Sequence, residues 1–199
     1  MTCKTAPPSS WTGYGAVVGE PLVTHPKVAK VAFTGGTATG ARVNELAART
    51  FKKVSLELGG KSPNIIFPDA DMEAAINGTL LAIYGNAGQR CTARSRLLLH
   101  ERARDEFLDR FIDKASRIRI GNPLENNTQM GPLVSQSQVE RVTSFIATAE
   151  GEGARLIAGG KRPADPSLAR GNYLQPTVVD RVTPTMQIAQ EEVFGPVLA

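Results

Sequence analysis

The sequence has few of the residues that mark secreted or metal-binding proteins. Its 199 residues include two cysteines, two histidines and one tryptophan. Cys3 and Cys91 are too few and too far apart for a disulfide framework, so neither is expected to be bridged. His25 and His100 show no ligand spacing to the cysteines, which argues against a structural zinc site. We therefore expect a reducing compartment and no bound metal.

Long apolar runs are also missing. The longest, residues 80–84 and 97–99, fall far short of the roughly 20 residues that a membrane-spanning helix needs. The first ten residues, MTCKTAPPSS, lack the apolar centre of a secretory signal. These absences lead us to expect a cytoplasmic protein without membrane contacts.

Two common enzyme motifs are absent. There is no G-x-S-x-G sequence, so a Ser-His-Asp hydrolase is poorly supported. The glycine-rich segment 35–40 is followed by Ala41 and Arg42, where a Walker A loop requires Lys and Ser or Thr. Neither hydrolase nor P-loop chemistry is indicated.

Charge is nearly balanced, with a formal net charge of +4. Nine of the basic residues fall within residues 90–119, beside five acidic ones, which raises the question of a nucleic-acid surface. The acids interleave with the bases at helical spacing, as in Glu106 with Arg110 and Asp113 with Arg117, and no aromatic residues form a stacking platform among the bases. A solvated helix face explains the pattern better, and no nucleic-acid partner is expected.

Hydrophobic periodicity predicts strands that alternate with helices. The predicted strands cover residues 30–34, 53–58, 64–67, 96–100, 155–158 and 177–182. The predicted helices cover residues 38–49, a segment capped by Asp71, residues 103–119 and a segment around residues 139–149. This order is typical of an α/β fold with an open, largely parallel sheet.

The domain organisation follows from composition. Residues 1–11 are rich in Pro and Ser and are expected to form a disordered leader. The pair Gly59-Gly60 permits a sharp change of chain direction and is the candidate junction between residues 12–60 and residues 61–199.

Three sites could carry chemistry, and each also has an ordinary structural interpretation. The turn Gly35–Gly40 lies between a predicted strand and helix, where backbone N–H groups could bind a pyrophosphate, although a tight βα turn is as good an explanation. Cys91 lies on a glycine-broken loop beside Arg90 and Arg94, which would favour its thiolate; most free cysteines are small core residues. Glu57 interrupts an otherwise apolar strand. Its carboxylate would line a cavity if the residue is functional, and the ordinary alternative is that it faces solvent on an edge strand.

Four ordered motifs resemble the NAD(P)-dependent aldehyde dehydrogenase superfamily. They are FTGGTATG at 33–40, LELGGKSP at 56–63, GQRCT at 88–92 and EEVFGPV at 191–197. The resemblance covers about residues 12–199. It implies the end of a Rossmann-type cofactor domain in residues 12–60 and most of an α/β catalytic domain, incomplete at its C-terminus, in residues 61–199.

The resemblance also implies residue roles. Cys91 matches the family nucleophile and Glu57 the general base, so the reaction would pass from a thiohemiacetal to a thioester that water hydrolyses to a carboxylate. The cofactor, NAD or NADP, would contact residues matching the family's binding positions: Gly35, Gly36, Thr37, Gly40, Leu58, Gln138, Arg141, Glu192 and Phe194. Gly36 stands where many relatives carry Ser, and Arg141 where Lys is common. The partners implied are a small-molecule aldehyde and, for the full-length relative, further copies of the same chain.

Length separates two interpretations. The chain is less than half the usual length of the family. Family members have an upstream part of the cofactor-binding sheet and a C-terminal oligomerisation strand that are missing from this sequence, so we expect a truncated product or fragment. One hypothesis is a functional aldehyde dehydrogenase sequence in fragment form, and the other is an inactive remnant that acts at most as a folded or partner-binding module. A CoA-acylating relative is a lesser alternative, because such proteins commonly lack the base that Glu57 supplies here.

Overall fold

The computed structural model describes residues 10–199, which divide between Gly59 and Gly60 into two compact units. The predicted leader therefore lies almost wholly outside the described residues, and Ser10 and Trp11 belong to no helix or strand. Each unit is described separately below.

The first unit is a β-α-β arrangement preceded by helical turns. A π-helical turn (Gly15–Gly19) leads into α1 (Glu20–Thr24), β1 (Lys30–Thr34), α2 (Thr37–Ala48) and β2 (Lys53–Glu57). The two strands are parallel, with Lys30 opposite Lys53 and Thr34 opposite Glu57. Alternate strand residues pack against the buried side of α1 and α2; this core comprises Val23, Val43, Leu46 and Ala47 with Val31, Phe33, Val54 and Leu56.

The second unit contains the remaining elements. In chain order these are β3 (Pro63–Ile66), α3 (Met72–Tyr84), β4 (Arg96–Leu99), α4 (Glu101–Ser116), α5 (Gln136–Gly151), β5 (Arg155–Ala158), β6 (Thr177–Asp180), α6 (Gln187–Gln190) and β7 (Val197–Leu198). Short 3₁₀ turns lie at Gly85–Gly88 and Pro166–Leu168.

The strands of this unit form a mostly parallel arrangement with one antiparallel edge. β3 pairs with β4, and β6 with β7, in parallel, whereas β5 runs antiparallel to β6. Ala199 joins the two groups, because its N–H donates to the Ser95 carbonyl at 3.0 Å and its carbonyl accepts from the Leu97 N–H at 2.7 Å. The predicted α/β fold is confirmed, and the orientation of β5 is the exception to the parallel pattern.

The core of the second unit is built from helix faces that the sequence periodicity identified. Phe107 and Phe111 stack at 5.5 Å between ring centroids and are fully buried, as are Ile76 and Ile83 on α3. Tyr84, also buried, donates its hydroxyl hydrogen to the Thr177 carbonyl at 3.0 Å. Burial raises the pKa of this phenol well above its ordinary value, so it acts as a neutral donor.

Helix ends follow local capping rather than periodicity. Asp71 caps α3 as predicted, its carboxylate accepting from the Ala74 N–H at 3.0 Å. α4 begins at Glu101, two residues earlier than predicted, because the His100 Nδ1 accepts the Arg102 N–H and caps the helix. The helix α1 and the short strand β7 were not predicted, since five and two residues are too few to show a period.

Acidic residues pair with most of the charges of the basic segment on α4. Arg110 contacts Glu73 at 2.7 Å and Glu106 at 2.8 Å, and Lys114 also pairs with Glu73. This pairing fits the solvated helix face that the sequence favours. Hydrogen bonds from Lys114, Asn77 and Arg110 lower the pKa of Glu73 to about 2.

Glu73 makes the stability of α3 and α4 dependent on acidity. A carboxyl whose pKa is lowered by folding stabilises the fold above its unfolded pKa, about 4.3, and loses that contribution as the pH falls toward 2. We expect Glu73→Gln to remove part of the loss of stability between pH 4.5 and 2, measured by urea unfolding followed by circular dichroism. Glu101→Gln, at a carboxylate with no ion pair in the described structure, is the control; an identical pH profile for wild type and Glu73→Gln would contradict the assignment.

Candidate active site

The first unit gathers its predicted residues at the carboxyl ends of two parallel strands. Thr34 ends β1 opposite Glu57, which ends β2. The Gly35 N–H donates to the Glu57 carbonyl at 3.0 Å, which fixes the start of the glycine turn beside the base candidate. The Glu57 side chain lies on the exposed face of β2, while its neighbours Val54 and Leu56 face the core. Its carboxylate is therefore free to meet solvent or a ligand.

The turn that follows opens onto the N-terminus of α2. Gly36 occupies the position before the first helical residue, and no side chain among residues 10–199 caps the N–H groups of the first turn. A Cβ added at Gly36 would meet nothing within 4 Å. These N–H groups carry the positive end of the helix dipole into open space, which is the arrangement that binds phosphate.

Gly40 has a different reason to be glycine. A Cβ there would lie 2.4 Å from Leu58 Cδ2, so the Leu58 side chain packs directly on the helix backbone. Leu58 and Gly40 thus hold the turn against the chain that continues from Glu57. The contact accounts for the glycine at the end of the motif without a ligand.

In the second unit, left-handed backbone shapes the loop that carries Cys91. Asn86, Ala87 and Gly88 have φ angles of 54°, 52° and 71°, in succession. Such strain is retained only where surrounding contacts impose it. At Gly88 the contact is with backbone, because an added Cβ would lie 2.0 Å from the Gly195 carbonyl oxygen.

Side-chain hydrogen bonds of Gln89 link this loop to the segment 132–134. Its side-chain oxygen accepts the Val134 N–H at 2.9 Å, and its amide group donates to the Pro132 and Asn86 carbonyls at 3.4 and 3.3 Å. The sequence analysis gave Gln89 no role beyond its place in the motif. Only its spacing two residues before Cys91 could have suggested one.

Cys91 itself is presented on a tight turn. The Ala93 N–H donates to the Arg90 carbonyl at 3.1 Å, which closes the turn around Cys91 and Thr92. Cys91 is exposed and free, so the interpretation as a small core residue does not apply. Arg90 and Arg94 are also exposed, and the Arg90 guanidinium lies beside Gly85. A thiol in this position is accessible to an electrophile.

The other predicted residues of the second unit converge on residues 192–195. The Gln138 amide donates to the carbonyls of Val193 and Phe194 at 3.1 and 2.9 Å. The Arg141 guanidinium donates to the Glu192 carbonyl at 3.1 Å and lies over the Phe145 ring at 4.9 Å.

Through these contacts, Gln138 and Arg141 have a structural role. Their side chains hold the backbone of residues 192–194, and Phe194 takes a left-handed φ of 57° within it. The Glu192 carboxylate lies 3.5 Å from the Gly60 N–H, and Phe194 is 37% exposed. The groups left to meet a ligand are therefore the Glu192 and Phe194 side chains.

Neither a metal-binding cluster nor a membrane-spanning helix occurs in the part of the chain that the structure describes. Residues 10–199 contain no group of three or more His, Cys, Asp or Glu side chains placed to hold a metal ion. Among the same residues, no helix has the length and apolar character required to cross a bilayer.

Comparison with known proteins identifies the family. The model of the aldehyde dehydrogenase family matches residues 9–199. An aminoaldehyde dehydrogenase of Malus domestica, named peroxisomal, is 48% identical over 187 residues, and a betaine aldehyde dehydrogenase of Amaranthus hypochondriacus, named chloroplastic, is 50% identical over 187 residues. Each alignment covers 94% of this chain and 37% of the relative, so the chain spans well under half the length of these proteins.

Solved structures agree with these relatives. A putative aldehyde dehydrogenase from Burkholderia cenocepacia superposes with a TM-score of 0.91 at 53% identity, covering 94% of this chain and 39% of the other. The betaine aldehyde dehydrogenase of Staphylococcus aureus, solved in complex with NAD+, gives a TM-score of 0.92 at 42% identity, covering 94% and 37%.

The expected cytoplasmic location is contradicted by these comparisons, since similar relatives are named peroxisomal or chloroplastic. The expectation rested on the lack of an apolar secretory signal. That lack argues only against entry into the secretory route, because organelle addresses are read by receptors and need no apolar segment.

The close contact between Gly88 and Gly195 predicts how a substitution at Gly88 changes the free energy of unfolding. Gly88→Ala places a Cβ against backbone at a left-handed φ, so we expect a loss of about 2–4 kcal/mol in the free energy of unfolding. Gly78→Ala is the matched control, because Gly78 lies within α3 with nothing within 4 Å of its Cβ position, and it should stabilise by about 0.5–1 kcal/mol. Equal effects of the two substitutions in urea unfolding would show that the close approach is absent.

Exposure of Cys91 predicts alkylation of the folded chain. With limiting iodoacetamide at neutral pH, Cys91 should be labelled in the folded chain nearly as fast as in urea, because its side chain is already exposed. Peptide mass spectrometry measures both rates, with circular dichroism to confirm that the native sample is folded. Labelling of Cys91 only after unfolding would contradict the prediction.

Proposed function

Because the chain belongs to the aldehyde dehydrogenase family, we propose that it supplies the nucleophile, the base and part of the cofactor site for oxidation of an aldehyde to a carboxylate. The single observation that carries the proposal is the exposure of Cys91 on a turn that its neighbours constrain. Residues 12–60 would form the end of the cofactor-binding domain and residues 61–199 the catalytic domain.

The Cys91 thiolate would attack the aldehyde carbon to give a thiohemiacetal. The thioester on the Sγ atom would form when that carbon gives a hydride to the oxidised dinucleotide and its hydroxyl gives up a proton, and attack by water then releases the carboxylate and regenerates the thiol. The constrained loop supports this role, since a nucleophile held in one orientation needs less reorganisation in the transition state.

Glu57 would take a proton from the water that attacks the thioester. Three features support this role: its place at the end of β2, the exposure of its side chain, and the Gly35 N–H bond to its carbonyl. The backbone is held while the carboxylate stays free of ion pairs in the described structure. A general base needs that freedom to reach a water molecule.

The dinucleotide cofactor would supply the hydride acceptor. The residues present fit its phosphates, because Gly36 leaves the uncapped N–H groups of α2 open to a ligand. Gly35, Gly36, Thr37 and Gly40 would form that end of the site, and Leu58 its wall. Gln138 and Arg141 would hold residues 192–194, so that the side chains of Glu192 and Phe194 are available to the cofactor.

Two departures from the family pattern fit this division of roles. Gly36 in place of Ser removes a hydroxyl donor and leaves the backbone donors intact. Arg141 in place of Lys can bond the Glu192 carbonyl while stacking on Phe145, which the planar guanidinium does better than an ammonium. Both NAD and NADP are compatible with these contacts, and assembly into a homo-oligomer stays a prediction for the full-length relative.

The names of the relatives indicate a substrate class. They are aminoaldehyde and betaine aldehyde dehydrogenases, whose named substrates carry an amino or quaternary ammonium group. We therefore place cationic aldehydes first among candidates for the protein to which this chain corresponds.

A chimera tests these roles. Residues 12–199 replace the matching segment of the Malus domestica aminoaldehyde dehydrogenase, and NADH formation from 3-aminopropanal and from benzaldehyde is followed by absorbance. We expect activity with preference for the cationic aldehyde, and a loss of at least about 1000-fold on Cys91→Ala.

In the same chimera, Glu57→Gln should slow the steady state by about 100-fold or more and leave a rapid burst of NADH, because the amide cannot accept a proton during thioester hydrolysis. Glu101→Gln, at another exposed carboxylate, serves as the control. Equal loss of the burst and of the steady state would mean that Glu57 acts before hydrolysis.

A further inference from the structure

The side-chain amide of Gln89 forms hydrogen bonds through both its oxygen and its nitrogen. The oxygen accepts the Val134 N–H at 2.9 Å, and the nitrogen donates to the Pro132 carbonyl at 3.4 Å. The same nitrogen donates to the Asn86 carbonyl at 3.3 Å, and the Asn86 side chain donates in return to the Gln89 carbonyl at 3.0 Å. One side chain therefore joins its own turn to the segment that contains Val134.

The segment that receives Gln89 is itself fixed in place. Leu133, which lies between the two partner groups, is buried, and its N–H donates to the Asn172 carbonyl at 2.9 Å. Ser135 follows directly and caps α5, where its hydroxyl oxygen accepts the Gln138 N–H at 3.2 Å. An anchor on a segment with these supports restrains the group that is bonded to it.

The turn that ends at Gln89 is strained and needs such an anchor. Asn86 and Ala87 have φ angles of 54° and 52°, which residues with a Cβ atom rarely adopt. Asn tolerates this region better than Ala does, and Ala87 is buried as well. The contact with Gly195 holds the turn at Gly88, and the side-chain amide holds it at Gln89.

This turn leads directly to the candidate nucleophile. Arg90 alone separates Gln89 from Cys91. The Arg90 carbonyl accepts the Ala93 N–H at 3.1 Å, which closes the next turn around Cys91. A displacement of Gln89 therefore moves the start of the turn that carries the thiol.

We propose that Gln89 is a positioning residue for Cys91, which fixes the direction from which the Sγ atom meets the aldehyde carbon. This role rests on the proposed function, in which Cys91 attacks an aldehyde. The position requires an amide, because it needs an acceptor for the Val134 N–H and a donor for the Pro132 carbonyl. A carboxylate of the same length would place a second acceptor against that carbonyl, and an apolar side chain would bond neither group.

Hydrogen exchange in the 199-residue chain tests, without catalysis, whether Gln89 holds the turn. In Gln89→Met, the amides of residues 86–93 should exchange at least about tenfold faster than in the wild type, because the anchor is lost while the length of the side chain is kept. Gln136→Met is the matched control, since that amide is exposed on α5 and bonds only exposed residues. It should leave the exchange of residues 86–93 unchanged.

The aminoaldehyde dehydrogenase chimera tests the effect on the reaction. Gln89→Met and Gln89→Glu should each slow the first turnover of NADH formation by about 10- to 100-fold, because a misplaced nucleophile is less often aligned for attack. The Kd for NAD should stay within about twofold of the wild type, since the open turn at Gly36 is untouched. Alkylation of Cys91 by iodoacetamide should also stay within about twofold, because that reaction depends on exposure of the thiol rather than on its direction.

A purely structural role predicts a different result, namely lower stability with an unchanged first turnover in the folded chimera. The proposal is overturned if Gln89→Met keeps the first-turnover rate of the wild type. It is also overturned if alkylation of Cys91 slows by the same factor as NADH formation, since the thiol would then have lost exposure. An inactive wild-type chimera counts against the proposed function itself, whereas unchanged exchange in Gln89→Met of the 199-residue chain counts against Gln89 alone.

Should the Gln89 variants not fold, the wild-type chain still decides the matter. Val134 is 79% exposed, so slow exchange of its amide, followed by NMR, reports the bond to the Gln89 side chain directly. Exchange of the Val134 amide at the rate of an unprotected residue would exclude the anchor.

Discussion

The close approach of the Gly88 and Gly195 backbones constrains the whole neighbourhood of Cys91. The distance leaves no space for a side chain at Gly88, so it fixes both the left-handed run 86–88 and the position of residues 192–195 against it. Gln89 then ties the cysteine loop to residues 132–134, and Gln138 and Arg141 tie residues 192–194 to α5. The conformation of the loop that carries Cys91 is therefore determined by backbone contacts, and side-chain hydrogen bonds reinforce it.

The first unit uses glycine in another way. Gly36 keeps the N-terminus of α2 open, whereas Gly40 admits the Leu58 side chain. An open helix end suits a charged ligand, and a tight contact beside it keeps the turn from changing shape. The same short motif therefore leaves the helix end open and supports the turn beside it, without a charged side chain in the turn.

Sequence patterns predicted the features that depend on local chemistry. The apolar periodicity located strands β1 to β6 and the helices longer than two turns, and the Asp71 cap followed from its residue type. The antiparallel β5 and the short β7 depend on pairing between distant segments, which no local pattern records. The family resemblance pointed to Gln138 and Arg141 as cofactor positions, but the hydrogen bonds from their side chains to backbone carbonyls depend on the packing of α5 against residues 192–194.

We propose that an acyl group forms on Cys91 during turnover and that Glu57 helps to remove it. The most direct test is rapid quenching of the Glu57→Gln chimera during turnover of 3-aminopropanal with NAD, followed by peptide mass spectrometry. We expect an acyl adduct on the peptide that contains Cys91, accumulating to nearly one per active site. An adduct on another residue, or none while NADH is released in a burst, would contradict it.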